Sequence, residues 1–414
     1  MRAILVHYMA SGKSYNNRME IFNINKNVDT IVYAGAIIDD SFVELRTNVL
    51  IRINNGWITE VHDNVVPEKV KGNNVIMLSG ITLLPGFIDC HVHLALDGVD
   101  FQGSMSRWER EESWLPGIRL SLEDSWQSGL AAIRDGGDKA GIGLRARNLQ
   151  RQGKLEGPRV VSSGQAICKQ GYYGSFLGPG ITNLVEGKQA IDRLHKQGVD
   201  LIKILVSGIV SFREYGKVGQ LQFSQAELSA LVSHAHSLGL SVMAHASSDA
   251  AVLLCINAGV DSIEHGYFVS EGSLEAMAQK DIAWVPTVVP VANQGKNTTH
   301  GPDSIDVITR TYELQLKRIS LAGQLGIRLG IGTDAGAAGV RHGADYFREL
   351  LLFNRAGLEP GQIIKAASGE AARICGLDKE FGSIQEGKRA CLLGFNGNPL
   401  ADISLLESIS CRIG

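Results

Sequence analysis

The sequence predicts an α/β fold, a (β/α)8 TIM barrel accompanied by a small β-sandwich domain, and three observations predict it. Short apolar runs recur with amphipathic segments such as Ser224 to Leu238 and Asp306 to Leu325 between them, the pattern of right-handed βαβ units feeding a parallel sheet. Several of these runs end in a histidine or a carboxylate. Ahead of them, residues 30–77 alternate apolar and polar residues, with turns at Gly35, Asn54-Asn55-Gly56 and Gly72-Asn73-Asn74, as antiparallel hairpins do.

Residues 1–29 read as a flexible leader, because the apolar stretch after Arg2 is too short and too weakly hydrophobic for a signal peptide. The first barrel strand is Gly80-Ile-Thr-Leu-Leu-Pro-Gly-Phe-Ile-Asp-Cys-His-Val-His-Leu. Alternation along a strand sends His91 and His93 to one face, where two imidazoles suit a divalent metal such as zinc. Asp200-Leu-Ile-Lys-Ile-Leu-Val then places Lys203 inside a strand, and Leu240 to His245 and Val260 to His265 each end in histidine. Leu329-Gly-Ile-Gly-Thr-Asp ends in Asp334. In a closed parallel barrel every carboxyl end faces one mouth, so these residues converge although they are far apart in sequence.

Composition narrows the function classes. A chain of 414 residues with 44% hydrophobic content accommodates one catalytic barrel and one satellite domain. A net charge of -3 and the lack of a basic stripe exclude nucleic acid and anionic membranes as expected partners. No run of about 18 apolar residues is present to span a bilayer. Cys90, Cys168, Cys255, Cys375, Cys391 and Cys411 are scattered without a CxxC pair, which reads as reduced thiols in the cytoplasm.

Pro85-Gly-Phe-Ile-Asp-Cys-His-Val-His and Gly129-Leu-Ala-Ala-Ile-Arg-Asp-Gly-Gly, followed by Lys, His, His and Asp on successive strands, resemble the amidohydrolase superfamily of metal-dependent hydrolases. Gly382-Ser-Ile-Gln-Glu-Gly-Lys-Arg-Ala-Cys-Leu with Asn398-Pro-Leu-Ala-Asp-Ile resembles that family's return to its small β domain, so the resemblance covers most of the chain. It implies a sandwich built from both termini, residues 30–78 plus 379–414, around a barrel at 79–378. Within the superfamily the chain is most similar to the imidazolonepropionase-like and prolidase-like branch, whose members include zinc dipeptidases cleaving Xaa-Pro or Xaa-Arg/Lys bonds.

The resemblance implies two Zn2+ per chain, one held by His91, His93 and Asp334 and the other by His245 and His265. Lys203 cannot ligate a cation as an ammonium, so it must lose its proton or be carboxylated by CO2; the resemblance implies the carbamate. Asp334 is the expected general base and acid. A small-molecule substrate and a homo-oligomer are the expected partners.

Substrate recognition is less sharply written. Where the dipeptidase-like branch carries Gly-Gly-His-Gly, this chain has Gly171-Tyr172-Tyr173-Gly174, which replaces a possible cation with phenols able to donate to a polarised carbonyl. Tyr215, Tyr267, Arg341 and His342 are further candidates on strand-end loops, and the loop Gln294 to Asp303 is a candidate lid. The leading expectation is hydrolysis of a C–N bond in a dipeptide of Xaa-Pro or Xaa-Arg type or in an N-acyl amino acid. A cyclic amide, urea or carbamate hydrolase, and a non-catalytic metal-binding barrel, are the alternatives.

Overall fold

The computed structural model describes residues 6–7, 19–24, 28–38, 43–295 and 301–414. The chain divides into two compact units, Met1–Phe87 with Glu359–Gly414, and Ile88–Leu358. In the first, an eight-stranded sheet runs in the order Glu20–Phe22, Cys411–Ile413, Leu392–Asn396, Val75–Pro85, Thr30–Ile38, Leu45–Asn54, Trp57–His62, with Val6–His7 also pairing to Val75–Pro85. The ladders thus describe one sheet where two packed sheets are expected. The reason is the 11-residue strand Val75–Pro85, which pairs in parallel with Thr30–Ile38 and continues antiparallel to Leu392–Asn396.

Asn55 and Gly56 close the hairpin between Leu45–Asn54 and Trp57–His62 with φ of 51° and 78°, the left-handed pair that a type I′ turn requires. Val6–His7 and Glu20–Phe22 belong to the stretch expected as a flexible leader, and both are paired strands of this sheet. Residues 1–5, 8–18 and 25–27 of that stretch lie outside the described residues. The sheet's buried side chains form an aliphatic cluster that includes Val32, Ile37, Ile51, Leu83, Leu392 and Ile413.

The second unit alternates strands with helices. Strands β1 (Phe87–Val92), β2 (Leu130–Asp135) and β3 (Arg159–Ser162) form one sheet. Strands β4 (Ala166–Ile167), β5 (Leu201–Leu205), β6 (Ser241–Ala246), β7 (Ser262–His265) and β8 (Ala283–Val285) form a second, parallel throughout. The helix expected after Lys203 spans Gln225–Ser237, and Ser224 caps it in a reciprocal box with Glu227, which satisfies two otherwise orphaned N–H groups.

These regular ladders do not by themselves close a barrel. The expected last strand is irregular, touching Trp284 through Leu329 and Val92 through Ala335 as isolated parallel bridges. Glycine is required within it: a Cβ on Gly332 would lie 2.4 Å from Val285 Cγ1 and 3.0 Å from His91 Cβ. Among the described residues no helix is long and apolar enough to cross a membrane. All six cysteines are in the thiol form, and five of them are buried.

Candidate metal centre

Strand register builds the site. In the parallel ladder Lys203 lies beside Met243, Leu205 beside His245, and His245 beside Glu264, so Lys203, His245 and Glu264 share one face. Strict alternation would send His265 to the opposite face. It turns back because its φ is 69°, and Thr287 and Asp334 hold similarly left-handed φ of 53° and 57°. Backbone strain of this kind, of order 1–3 kcal/mol per residue, is characteristic of over-determined functional sites.

β1 and the irregular segment bring the remaining groups together. Asp334 N–H donates to His91 O at 2.7 Å and His93 N–H to Ala335 O at 2.7 Å. Asp334 Oδ1 then lies 3.6 Å from His91 Nε2 and 3.5 Å from His93 Nε2. Lys203 Nζ is 3.4 Å from His91 Nε2. The His91 ring centre is 4.9 Å from that of His265, which is 4.5 Å from that of His245. All six expected ligands therefore converge, and the ligand atoms of His91, His93 and Asp334 lie within 4.8 Å of one another.

Hydrogen bonding fixes each imidazole with one nitrogen bare. His93 Nδ1 donates to Gly137 O at 3.1 Å, and a carbonyl only accepts, so Nε2 carries no proton. His265 Nδ1 lies 2.7 Å from Thr287 Oγ1, whose own hydrogen goes to Pro286 O, so the imidazole is again the donor and Nε2 is bare. His245 reverses the pattern: Nε2 donates to Gly208 O at 3.2 Å, which frees Nδ1. His91 Nδ1 faces Glu264 Oε2 at 2.7 Å, leaving Nε2 for the centre. Partners of this kind orient metal-binding histidines.

Electrostatics agrees with this. Burial holds His93 and His245 down at about 3 and His91 and His265 well below their ordinary value, so all four are neutral, as ligation demands. Burial lowers Lys203 to about 8 and raises Asp334 to about 7. Four neutral imidazoles, a carboxylate and a lysine with a depressed pKa are a donor set that fits divalent cations.

Of the six substrate candidates, Tyr173 and Tyr267 place their rings against the histidines of this centre. The Tyr173 ring lies 5.6 Å from that of His245, and the Tyr267 ring stacks on His265 at 5.5 Å and 20°. Burial, helped by the Asp334 carboxylate, raises both phenols, so both remain hydroxyl donors. The other four make different contacts. Tyr172 is 41% exposed, and Tyr215 packs under the Arg310 guanidinium at 3.8 Å. Exposed Arg341 donates its N–H to Asp345, while buried His342 donates from Nε2 to Leu96 O at 2.8 Å. Residues 296–300 of the candidate lid lie outside the described residues.

Sequence reasoning missed Glu264, Thr287 and the carbonyls of Gly137 and Gly208, which set the tautomers. The available signal for Glu264 was its place immediately before His265. Asp89, which accepts from Thr333 N–H at 3.0 Å and Thr333 Oγ1 at 2.6 Å, was likewise legible only as part of the motif.

The chain is similar to known proteins. A model of the amidohydrolase family matches residues 82–410. An ochratoxinase from Aspergillus niger is 27% identical over 411 residues, covering 91% of this chain and 83% of its own. An imidazolonepropionase from Acinetobacter baumannii is 24% identical over 359 residues, covering 77% of this chain and 80% of its own. Among solved structures, a Xaa-Pro dipeptidase with methionine bound in its active site superposes with a TM-score of 0.81 at 27% identity, covering 92% of this chain and 97% of that one.

Proposed function

We infer, from the premise that this chain belongs to the amidohydrolase family and is a hydrolase acting on carbon–nitrogen bonds, that it is a zinc enzyme cleaving the amide of an N-acyl amino acid or a dipeptide of Xaa-Pro or Xaa-Arg type. The observation carrying this reading is the convergence of His91, His93, Lys203, His245, His265 and Asp334, with every imidazole presenting a bare nitrogen. His91, His93 and Asp334 would hold one Zn2+ and His245 and His265 a second, with Lys203, as a carbamate, shared between them. Residues 328–335 would supply the last strand, the one that closes the barrel.

Bound zinc would lower the pKa of water towards about 7 and polarise the scissile carbonyl. Asp334 receives the proton as water attacks and delivers it to the leaving nitrogen, base and then acid. Its 14% side-chain exposure keeps it within reach of a substrate. Tyr173 and Tyr267 present phenol hydroxyls and ring faces, Tyr173 beside His245 and Tyr267 on His265, which suits a carbonyl oxygen on an apolar acyl group.

One observation favours a second reading. Tyr173 stands where a histidine is expected in the dipeptidase-like motif, and a phenol pairs poorly with an α-carboxylate, which favours a cyclic amide, urea or carbamate. Zinc analysis together with a panel of N-acyl amino acids, Xaa-Pro and Xaa-Arg dipeptides, hydantoins and ureas separates the readings. Two Zn2+ per chain and turnover of the amino-acid amides is the expected result. Turnover of ring amides or ureas alone transfers the proposal to the second reading, and a chain that takes up no metal and turns over nothing sinks both.

A further inference from the structure

Glu264 is a carboxylate with no exposed surface, next to a candidate ligand yet facing a different one. We propose that Glu264, locked by Arg134 and Ser262, is the positioning residue for His91 and gives the His91–His93–Asp334 group a tighter hold on its metal than the pair His245 and His265, neither of which has an anionic partner. This rests on the metal reading above.

The four imidazoles are not held alike. His93 and His245 are bonded to backbone carbonyls and His265 to a hydroxyl, whereas His91 alone is bonded to a carboxylate. An anionic partner on the far nitrogen makes an imidazole a stronger donor than a neutral partner does, and it penalises rotation of the ring more heavily. Glu264 cannot easily leave this role. Its Oε2 faces His91 Nδ1 at 2.7 Å, while its Oε1 accepts from Arg134 Nη2 at 2.9 Å and Ser262 Oγ at 2.6 Å.

The guanidinium ties the assembly to the strand as well as to the carboxylate. Arg134 Nε donates to Cys90 O at 2.6 Å, one residue before His91, and Nη1 reaches Ser262 Oγ at 3.0 Å. One buried cation therefore fixes both the backbone that presents His91 and the carboxylate that holds its ring. Glutamine at 264 would keep the shape but not the pairing. Whichever way its amide turned, an N–H would face either the His91 Nδ1–H or the Arg134 guanidinium, donor against donor.

The test is metal binding. Metal-free wild type and Glu264→Gln are titrated with Zn2+ against a chromogenic chelator, and the visible spectrum of each is recorded after loading with Co2+. The expected result is a 10- to 100-fold loss of affinity for the tighter ion and a shifted cobalt band in Glu264→Gln. Affinity within about twofold of wild type with an unchanged cobalt band overturns the proposal. Wild type that binds neither ion overturns the metal reading itself, so the two failures are distinguishable. Should Glu264→Gln fail to fold, Ser262→Ala decides: about threefold weaker binding at an unchanged melting temperature supports the proposal, and unchanged affinity overturns it.

Discussion

The two units of this chain are built around opposite interiors. The eight-stranded sheet encloses aliphatic side chains, Val32, Ile37, Ile51, Leu83 and Leu392 among them, for which burial is itself the stabilising term. The interior of Ile88–Leu358 encloses Asp89, Arg134, Asp135, Lys203, Glu264 and Glu349 beside its histidines. Each such group costs stability unless it is partnered, and Asp89, Arg134, Asp135, Glu264 and Glu349 each have at least two hydrogen-bond contacts. The difference shows what each interior contributes: one is stabilised by aliphatic burial, and the other gives up easy burial to hold polar groups in place.

The largest expected effect probes the polar interior alone. Stripping metal with a chelator should abolish turnover and adding zinc should restore it, while Asp334→Asn should lower kcat by about 10²–10⁴ in steady-state assays, with little change in melting temperature. A variant that retained full kcat would remove Asp334 from proton transfer. The converse substitution is Leu83→Ala in the sheet, at a fully buried position paired with Gly394 and Ile37. It should cost about 2–5 kcal/mol in denaturant unfolding, with kcat per folded molecule unchanged. If kcat fell with stability, the division of labour between the interiors would be broken.

Partnering also has a pH signature. Glu349 accepts from the Val288 and Val289 N–H groups at 2.8 Å each, yet burial outweighs those bonds and raises its carboxyl to about 8. The ordinary unfolded value is about 4.3, so the folded state binds this proton more tightly. Its contribution to stability is full below that value and is lost as pH rises through about 8. Wild type should therefore lose melting temperature between pH 5 and 8.5, and Glu349→Gln should flatten that decline by about 3 °C. Parallel slopes in the two proteins would show that another group sets the trend.

How much of this was legible in the sequence follows from the range of the signals. Period-two alternation and Asn55-Gly56 are local, and both the hairpin and the inward pair His91 and His93 were readable from neighbouring residues. His245 and Lys203 were readable too, because they lie within regular strands. Glu264 was not, since its role depends on Arg134 and His91, each more than a hundred positions away. His265 was placed at the site for an incomplete reason: alternation alone points it outward, and only its left-handed backbone returns it. The irregular course of residues 328–335 was hidden because glycines permit a path without dictating one.

The adjacent pair Tyr172 and Tyr173 gives the smallest effect and the sharpest contrast. The motif match singles out Tyr173 as the residue in the histidine position, and the loop turns Tyr173 onto His245 and leaves Tyr172 at the surface. Removing one hydroxyl donor from a developing oxyanion costs up to 10²–10³ where the donor is fully engaged, so Tyr173→Phe should lower kcat/KM by roughly tenfold for a donor at the edge of the centre. Tyr172→Phe should stay within twofold, since a solvated phenol gives up nothing to the transition state. Equal losses in the two variants would mean that the loop acts through its conformation and that neither hydroxyl meets the substrate.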